Sequence, residues 1–364
     1  MSNHQLPPGL SECLEQALQP RLQELDPQHQ GGLRLFNGFY EGWPELVVDL
    51  YAGTLLLHNY ARPTEAAVSW LPAVQAYYLD QLPWLRCVIV KDRRSQPPAA
   101  SPADQAPSLA RQMPPHTVRP LQSPSRGGRI TFGSAPDRRL LEDGVWYALD
   151  LLSFRDASFY FDTRSLRAWA RRNLGGKRVL NAFAYTGSLG LAALAGGASQ
   201  VIQLDRDRRA LQLARSSYEL NGFVPQPGDF LQQDFFPAVA NLKRGGALFD
   251  CVFLDPPFFS VTSAGVVDLL NQGQRLINKL RPLVAHGGWL VAVNNALFLS
   301  GQDYMIMLEA LAADGYLQVE RLIDIPPDIA GYAQTVVAKP PADPAPFNHP
   351  TKIALLHLTR ANKG

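Results

Sequence analysis

Cysteine is scarce in this chain. Cys13, Cys87 and Cys251 are the only three in 364 residues, and no two stand at the spacing of a paired metal ligand or a disulfide framework. No stretch is apolar for the roughly 18 residues that a membrane-spanning helix requires. The opening residues, MSNHQLPPGL, lack the basic-then-apolar order of a secretory leader. These absences fit a protein of the reducing cytoplasm, with no membrane span and no bound metal. Net charge is also lacking. At +2, the molecule as a whole offers nucleic acid little attraction, so any binding of that kind must come from a local basic surface.

What is present is an ordinary globular composition, 46% hydrophobic and 18% charged, with length enough for two or three domains at roughly 100 to 200 residues each. Residues 1–30 hold one accessory helix, LSECLEQALQPRLQEL, which Pro20 interrupts. Residues 31–150 predict a small α+β domain expected to help hold RNA. Its strands are GLRLFNGF, the hairpin PELVVDLYAGTLLLHNYA turning at Ala52-Gly53, LRCVIVKDR, RITFG and VWYALDLL, with a helix over PTEAAVSWLPAVQAYYLDQL. Within it, 95–128 carries eight prolines and a single acidic residue, Asp104. Such a segment buries too little apolar surface to offset its ordering entropy and predicts a mobile insertion. It is expected to be a solvated linker, the other reading being a basic loop (Arg111, Arg119, Arg126) that reaches RNA phosphates. From 151 to 364, the apolar runs RVLNAF, SQVIQLD, FDCVFLD and GGWLVAVNNA alternate with helical stretches, including RDRRALQLARSSYELNG and VVDLLNQGQRLINKLRPLVAHGG. HPTKIALLHLTR adds a last strand. The fold class is therefore α/β, a Rossmann-like doubly wound domain preceded by a small α+β domain.

In an open parallel sheet the ligand lies beyond the carboxyl ends of the strands, near the point where strand order reverses. Four such ends carry polar signals here. The first strand enters Asn181–Gly187 (NAFAYTG), a turn whose Gly187, with Gly190 beyond it, is expected to let a ligand approach the backbone. The second ends in Asp205, where a carboxylate can accept hydrogen bonds from both hydroxyls of a ribose. Asp234, in LQQDFF, follows and is expected to close an adenine end. The fourth ends in Asp255-Pro256-Pro257-Phe258. Prolines lack a backbone donor and stop the ladder, so Asp255 and the Pro256 carbonyl can meet the planar edge of a nucleobase. Phe258 or Phe259 can stack on its face, a contact worth about 1 to 3 kcal/mol. A plain proline turn with core phenylalanines is the alternative. A nicotinamide dinucleotide also uses a glycine turn and an acidic strand end, but its pyrophosphate needs a tight G-x-G-x-x-G turn, whereas bulky Phe183 and Tyr185 precede the glycines here. S-adenosyl-L-methionine has no phosphate and suits the turn.

From about Gly32 onward the chain resembles the bacterial 23S ribosomal RNA large-subunit methyltransferases, class I S-adenosylmethionine-dependent enzymes that modify cytosine at ring position 5 or guanine at ring position 7. The resemblance rests on GWPELVVDLYAG, EDGVWYALDLL, FYFDTRSLRAWAR, KRVLNAFAYTGSLGLAAL, ALQLARSSYELNG and FDCVFLDPPFF, in that order. It implies a cytoplasmic methyltransferase with S-adenosyl-L-methionine as cofactor and ribosomal RNA as partner. Asn181, Phe183, Tyr185, Thr186 and Gly187 would wrap the methionine end, Asp205 the ribose and Asp234 the adenine, while Asp255, Pro256, Pro257 and Phe258 orient the acceptor. FYFDTR corresponds to a family segment ending Asp-Gln-Arg that borders the cofactor, which implies Asp162 and Arg164 and makes Thr163 a departure.

Two further departures shape the expected chemistry. Relatives that methylate carbon 5 place a cysteine just after the strand that follows Asp-Pro-Pro, because that carbon is not nucleophilic until a thiolate adds to the ring. Here the strand runs into Asn294 and Asn295, and Cys251 lies in an apolar run suited to the core. A nitrogen acceptor needs no covalent nucleophile, since its lone pair attacks once it is aligned. The cytosine-modifying relatives also carry an additional small RNA-binding domain, where only about 30 residues precede Gly32 here. RNA contact is then expected elsewhere. Arg164, Arg167 and Arg171 share one helix face, with Leu166 and Trp169 turned inward, and read either as a solvated face or as an RNA contact together with Arg172, Lys177 and Arg178. His286, His349 and His357 show no metal-ligand spacing and receive no role. The reading is a methyltransferase acting on an RNA base, on a nitrogen of ribosomal RNA. The alternatives are a small-molecule or protein methyltransferase, or a cofactor-binding, RNA-associated protein of little activity.

Overall fold

Short apolar runs in the first third of the chain form one sheet whose inner strands are buried almost throughout. The computed structural model describes residues 6–61, 70–93 and 127–359. They fall into two units, one of Met1–Leu141, Asp150–Ala157 and Pro327–Lys339, the other of Glu142–Leu149, Ser158–Pro326 and Pro340–Gly364. In the first unit, α1 (Pro8–Leu22) precedes β1 (Gly32–Asn37), the one-turn α2 (Gly38–Glu41), β2 (Leu46–Tyr51), β3 (Thr54–Asn59), α3 (Leu71–Gln81), β4 (Cys87–Asp92) and β5 (Arg129–Phe132). The strands form one sheet in the order β1-β2-β3-β4-β5. Ala52 takes the left-handed φ of 52° in the β2–β3 turn, which pairs Tyr51 with Thr54.

One face of this sheet packs Leu33, Val48, Leu50, Leu57 and Val90 against Leu10, Leu14 and Leu18 of α1 and Val74 and Tyr78 of α3. Pro20 lies inside α1 without ending it. The helix is held from beyond that point by fully buried Arg21, which pairs with Glu41 at 2.9 Å and donates to the Arg34 and Asp328 carbonyls. In the proline-rich stretch only Gly127 and Gly128 are described, and residues 95–126 lie outside the described residues, as do 62–69, where the helix over PTEAAVSWLPAVQAYYLDQL was expected to begin.

Next along the chain are β6 (Arg139–Glu142) and β7 (Val145–Ala148). The second unit then alternates as the apolar runs require: α4 (Arg164–Asn173), β8 (Arg178–Ala182), α5 (Ser188–Ala195), β9 (Gln200–Asp205), α6 (Arg208–Leu220), β10 (Phe230–Gln232), α7 (Phe235–Arg244) and β11 (Phe249–Leu254). Asp207 starts α6 by accepting hydrogen bonds from the Arg209 and Ala210 amides.

VVDLLNQGQRLINKLRPLVAHGG is not one helix. Val266–Asp268 belongs to a hairpin of β12 (Phe259–Thr262) and β13 (Gly265–Asp268), and only Gly273–Leu280 is α-helical, as α8, followed by one 3-10 turn over Arg281–Leu283. Val261, Thr262, Val266 and Val267 are β-branched and stiff at χ1, which favours strand. Asp268 then breaks the ladder by accepting from the Leu270 and Asn271 amides. After α8 come β14 (Val284–Asn294), α9 (Gly301–Ala312), β15 (Leu317–Ile323) and β16 (Lys352–Leu358).

The large sheet has the order β10-β9-β8-β11-β14-β16-β15. The pairings from β10 to β14 are parallel, and β16 is inserted antiparallel between β14 and β15. The wholly parallel sheet expected from the alternation is thus modified at one side. From β8 the chain winds outward to β9 and β10, then returns to the other side of β8 as β11 and β14. The order therefore reverses at β8, the position where open sheets of this kind hold ligands.

Candidate functional site

Because β8, β9 and β11 are parallel neighbours, their carboxyl ends share one edge, and the sequences leaving them meet there. β8 enters the turn Phe183–Gly187. Three of these five residues have left-handed φ: Phe183 at 59°, Tyr185 at 51° and Gly187 at 76°. A bulky residue in this region costs about 1 to 3 kcal/mol and persists only where its surroundings over-determine it. They do here. The Tyr185 amide donates to Asp205 Oδ2 at 2.8 Å, the Ala184 amide to the Leu204 carbonyl at 2.9 Å, and Thr186 Oγ1 to the Ser158 carbonyl at 2.6 Å. Phe183 stacks on Phe235 with ring centroids 4.5 Å apart, and Tyr185 lies 5.6 Å from Tyr160.

Asp205 ends β9. Its Oδ1 accepts from the Asp207 amide at 2.8 Å, and burial raises its pKa in spite of these hydrogen bonds. An ionised carboxylate offers about four acceptor positions, so capacity remains for hydroxyl donors. Asp234 follows β10 and caps α7, accepting from the Phe236 amide at 3.2 Å. Asp255 ends β11, where buried Pro256 and exposed Pro257 stop the strand. Its pKa is pushed up to about 7, first by burial and then by the charge of Asp162. Asp162 is in turn 3.4 Å from the donor Thr351 Oγ1. Phe258 is partly buried against the apolar core, whereas Phe259 is 37% exposed at the start of β12. Asp162, Asp205, Asp234 and Asp255 therefore border one edge of the sheet.

The remaining residues singled out from the sequence sit differently. Asn181 is buried one residue short of the strand end, its Nδ2 donating to Gln203 Oε1 at 2.8 Å and its Oδ1 buried without a partner. The glycines expected to admit a ligand make room for a side chain instead. A Cβ on Gly190 would lie 2.4 Å from Gln203 Nε2, and one on Gly187 would lie 2.7 Å from the Ala214 Cβ.

The arginine face is no solvated stripe. Arg167 is 2% exposed and grips Glu142 through Nε at 2.6 Å and Nη2 at 2.9 Å, with Nη1 on Thr163 Oγ1 at 2.7 Å. Arg164 Nε lies 3.3 Å from the same Glu142, and Arg171 pairs with Asp143 at 2.9 Å. Thr163, the departure from glutamine, thus serves Arg167 as an acceptor. The partners Glu142 and Asp143 lie more than twenty residues earlier, out of reach of helix periodicity.

A further group gathers around Asn294 and Asn295, which the sequence marked only as standing where a thiol would be. At the end of β14, Asn295 has a buried Oδ1 with no partner, while Asn294 Oδ1 accepts from the Ala296 amide at 2.9 Å. Across the β14–β16 pairing, which sets Asn294 opposite Lys352, the buried ammonium of Lys352 donates to the Ala296 and Pro350 carbonyls at 3.0 and 2.5 Å. Burial lowers that ammonium to about 8. His349 Nδ1 accepts from the Thr351 amide at 3.0 Å. The only available signal was a polar run, NHPTK, directly ahead of an apolar strand. No thiol stands at this edge. Cys251 is fully buried within β11, and its thiol is pushed well above the ordinary range by that burial. Among the described residues no group of three or more His, Cys, Asp or Glu side chains is placed to hold a metal ion, and no helix is long and apolar enough to cross a membrane.

Residues 130–338 match the protein family described as S-adenosylmethionine-dependent methyltransferase. The chain is 33% identical over 180 residues to Ribosomal RNA large subunit methyltransferase I of Photobacterium profundum, covering 50% of this chain and 44% of that protein. To the Erwinia tasmaniensis protein of the same name it is 30% identical over 291 residues, 79% of this chain and 66% of that one. The chain spans about half the length of several such relatives. Among solved structures, a protein described as a SAM-dependent methyltransferase from Streptococcus mutans superposes with a TM-score of 0.74, covering 97% of this chain and 83% of its own at 18% identity. At that identity the agreement is one of fold.

Proposed function

The chain belongs to the S-adenosylmethionine-dependent methyltransferase family, and from that premise we propose that it methylates a base of ribosomal RNA at a ring nitrogen. The observation that carries the proposal is the pairing of Asp255-Pro256-Pro257-Phe258, at the end of β11, with carboxamides and no thiol at the end of neighbouring β14. The names of the curated relatives support an RNA target.

The residues at this edge fit the cofactor. Asp205 keeps acceptor capacity for ribose hydroxyls while it holds the Tyr185 amide. Burial and then the charge of Asp162 raise the pKa of Asp255, an arrangement that a nearby cation relieves. When bound, S-adenosyl-L-methionine supplies an electrophilic methyl group on a sulfonium. The protein's own task is alignment. Asp255 and the Pro256 carbonyl hold the base edge, Phe258 or Phe259 covers its face, and Asn295 Oδ1 accepts a hydrogen bond that it lacks in the free protein. A ring nitrogen attacks through its lone pair, so no side chain has to remove a proton first. The positive charge that moves to the base stays beside Asp162 and Asp255.

The test is transfer of labelled methyl to total RNA from a strain lacking the gene and from its parent, with the nucleoside products resolved by mass spectrometry. The proposal expects a labelled purine or pyrimidine methylated at a ring nitrogen, from the deletion strain alone. Labelling of protein or small-molecule fractions instead would refute the RNA assignment, and 5-methylcytosine would refute the nitrogen assignment.

A further inference from the structure

Beside the hairpin that follows the Asp-Pro-Pro-Phe segment lies an open hollow between α7 and α8. Its lining includes Lys243, Arg275 and Lys279 with the carboxamides of Gln272, Gln274 and Asn278, and no carboxylate. The sequence makes this an acid-free district. No Asp or Glu occurs between Asp234 and Asp250, which spans α7, or between Asp268 and Asp303, which spans α8. In a chain of net charge +2 this is a local concentration of cations. Among the described residues none of the three cations makes an ion pair, in contrast to Arg164, Arg167 and Arg171.

The cations gather on an aromatic ring. Arg275 Cζ and Lys279 Nζ lie 5.7 and 5.6 Å from the centroid of Phe236. The same ring abuts the hairpin, since a Cβ on Gly265 would lie 2.5 Å from Phe236 Cε2. The hairpin begins at Phe259, directly after the acceptor segment, and the Leu269 amide at its far end donates to the Phe258 carbonyl at 3.1 Å. The hollow is thus joined to the acceptor segment through one hairpin and one ring. Lys243 shows that positive charge is crowded here. Burial and the nearby Lys279 lower its pKa, a condition that a bound anion relieves.

We propose that the α7–α8 hollow binds the phosphate backbone of single-stranded RNA adjoining the base held at Asp255–Phe258. Lysine and arginine without carboxylate partners, partly buried at Lys243 and Lys279 and exposed at Arg275, with carboxamides among them, suit phosphate oxygens, which take most contacts of this kind without reading sequence. A single strand suits the site because the target base has to leave any stack to reach a strand-end pocket. The inference rests on the RNA reading above.

The experiment compares the full chain with K243E/R275E/K279E, and with the milder K243Q/K279Q in case the triple variant does not fold. A fluorescein-labelled single-stranded oligouridylate is titrated by anisotropy across a salt series, and cofactor affinity is measured by calorimetry in parallel. The expected result for the triple variant is unchanged cofactor affinity and roughly hundredfold weaker RNA binding at low salt. Its slope of log affinity against log salt becomes shallower by about 2, at about 0.7 per lost phosphate contact. The milder variant moves the same way by a smaller step. Unchanged RNA affinity and slope in folded variants, while the parent still methylates RNA, would overturn the hollow and leave the functional reading standing. A parent that neither methylates nor binds RNA overturns both. Polyglutamate competing as well as RNA at equal charge would overturn the assignment to RNA.

Discussion

Asp255→Asn removes an ionisation that works against the fold. The Asp255 carboxyl sits at about 7 in the folded protein against an ordinary 3.8, so the folded state holds its proton more tightly than the unfolded chain does. Below about pH 4 both states are protonated and the group contributes nothing. Between there and pH 7 the unfolded chain gives up its proton first, so stability falls as pH rises. At about 1.4 kcal/mol for each unit of pKa difference, the loss accumulated above pH 7 reaches about 4 kcal/mol, of which about 2 falls between pH 5.5 and pH 8. Because Asp255 as a residue is only partly buried, screening brings that interval closer to about 1 kcal/mol. The assay is the thermal midpoint of parent and Asp255→Asn at pH 5.5, 7 and 8. The variant is expected to gain on the parent mostly between pH 5.5 and pH 7, with the gain levelling off by pH 8. Asp162→Asn separates the causes. Burial is the larger one, so this variant should keep most of the parent's pH dependence and lose only the smaller part due to repulsion. A constant difference between parent and Asp255→Asn from pH 5.5 to 8 would refute the reasoning, as would an Asp162→Asn variant that loses all the dependence.

Phe258→Ala is expected to remove stacking on the acceptor base, about 1 to 3 kcal/mol, and so to lower kcat/KM for RNA roughly 5- to 150-fold. Cofactor affinity by calorimetry should stay unchanged, and an equal loss for both ligands would point to a folding defect. For Gly190→Ala the new methyl meets a Gln203 side chain pinned by hydrogen bonds to Asn181 and the Gly187 carbonyl. Overpacking of this kind costs about 1 to 3 kcal/mol, measured as a lowered denaturant midpoint. Adding Gln203→Ala should recover part of the loss, and no recovery would count against the packing account. Iodoacetamide applied to the folded protein should modify Cys13, which is partly exposed, and spare fully buried Cys251. Methyl transfer should survive Cys251→Ala, since no step requires that thiol.

The parts of the fold legible in the sequence are those that depend on short-range regularity. Strand-length apolar runs separated by helical stretches marked β8, β9, β11 and β14, and the polar residue ending each run marked the edge where ligands bind. Contacts between distant segments left no such mark. Arg167 looked like one of a row of surface cations because helix spacing says nothing of Glu142, twenty-five residues earlier, which buries it. The strand residues Val266–Asp268 of β13 were absorbed into a helix because the true helix begins only five residues later. Lys352, His349 and Thr351 reach the site because β16 inserts backwards beside β14, a topological choice that no local pattern encodes.

Asp205 shows how one residue can satisfy a local rule and a distant need together. From sequence, an acid at the end of the second strand indicates a ribose partner. In the structure its carboxylate is already engaged, with Oδ2 on the Tyr185 amide and Oδ1 on the Asp207 amide. The first of these bonds fixes a turn in which Phe183 and Tyr185 both occupy the left-handed region, at about 1 to 3 kcal/mol apiece. The bulky residues that set this turn apart from a dinucleotide-binding loop are therefore tolerated because the next strand ends in a carboxylate. Substituting Asp205 would disturb the cradle as well as any ribose contact. An asparagine in its place keeps one carbonyl oxygen but turns an NH2 toward one of the two backbone donors. Loss of cofactor binding in Asp205→Asn consequently cannot be assigned to the ribose alone. Asp234, which holds only the α7 cap, is the cleaner probe of the nucleoside end of the site.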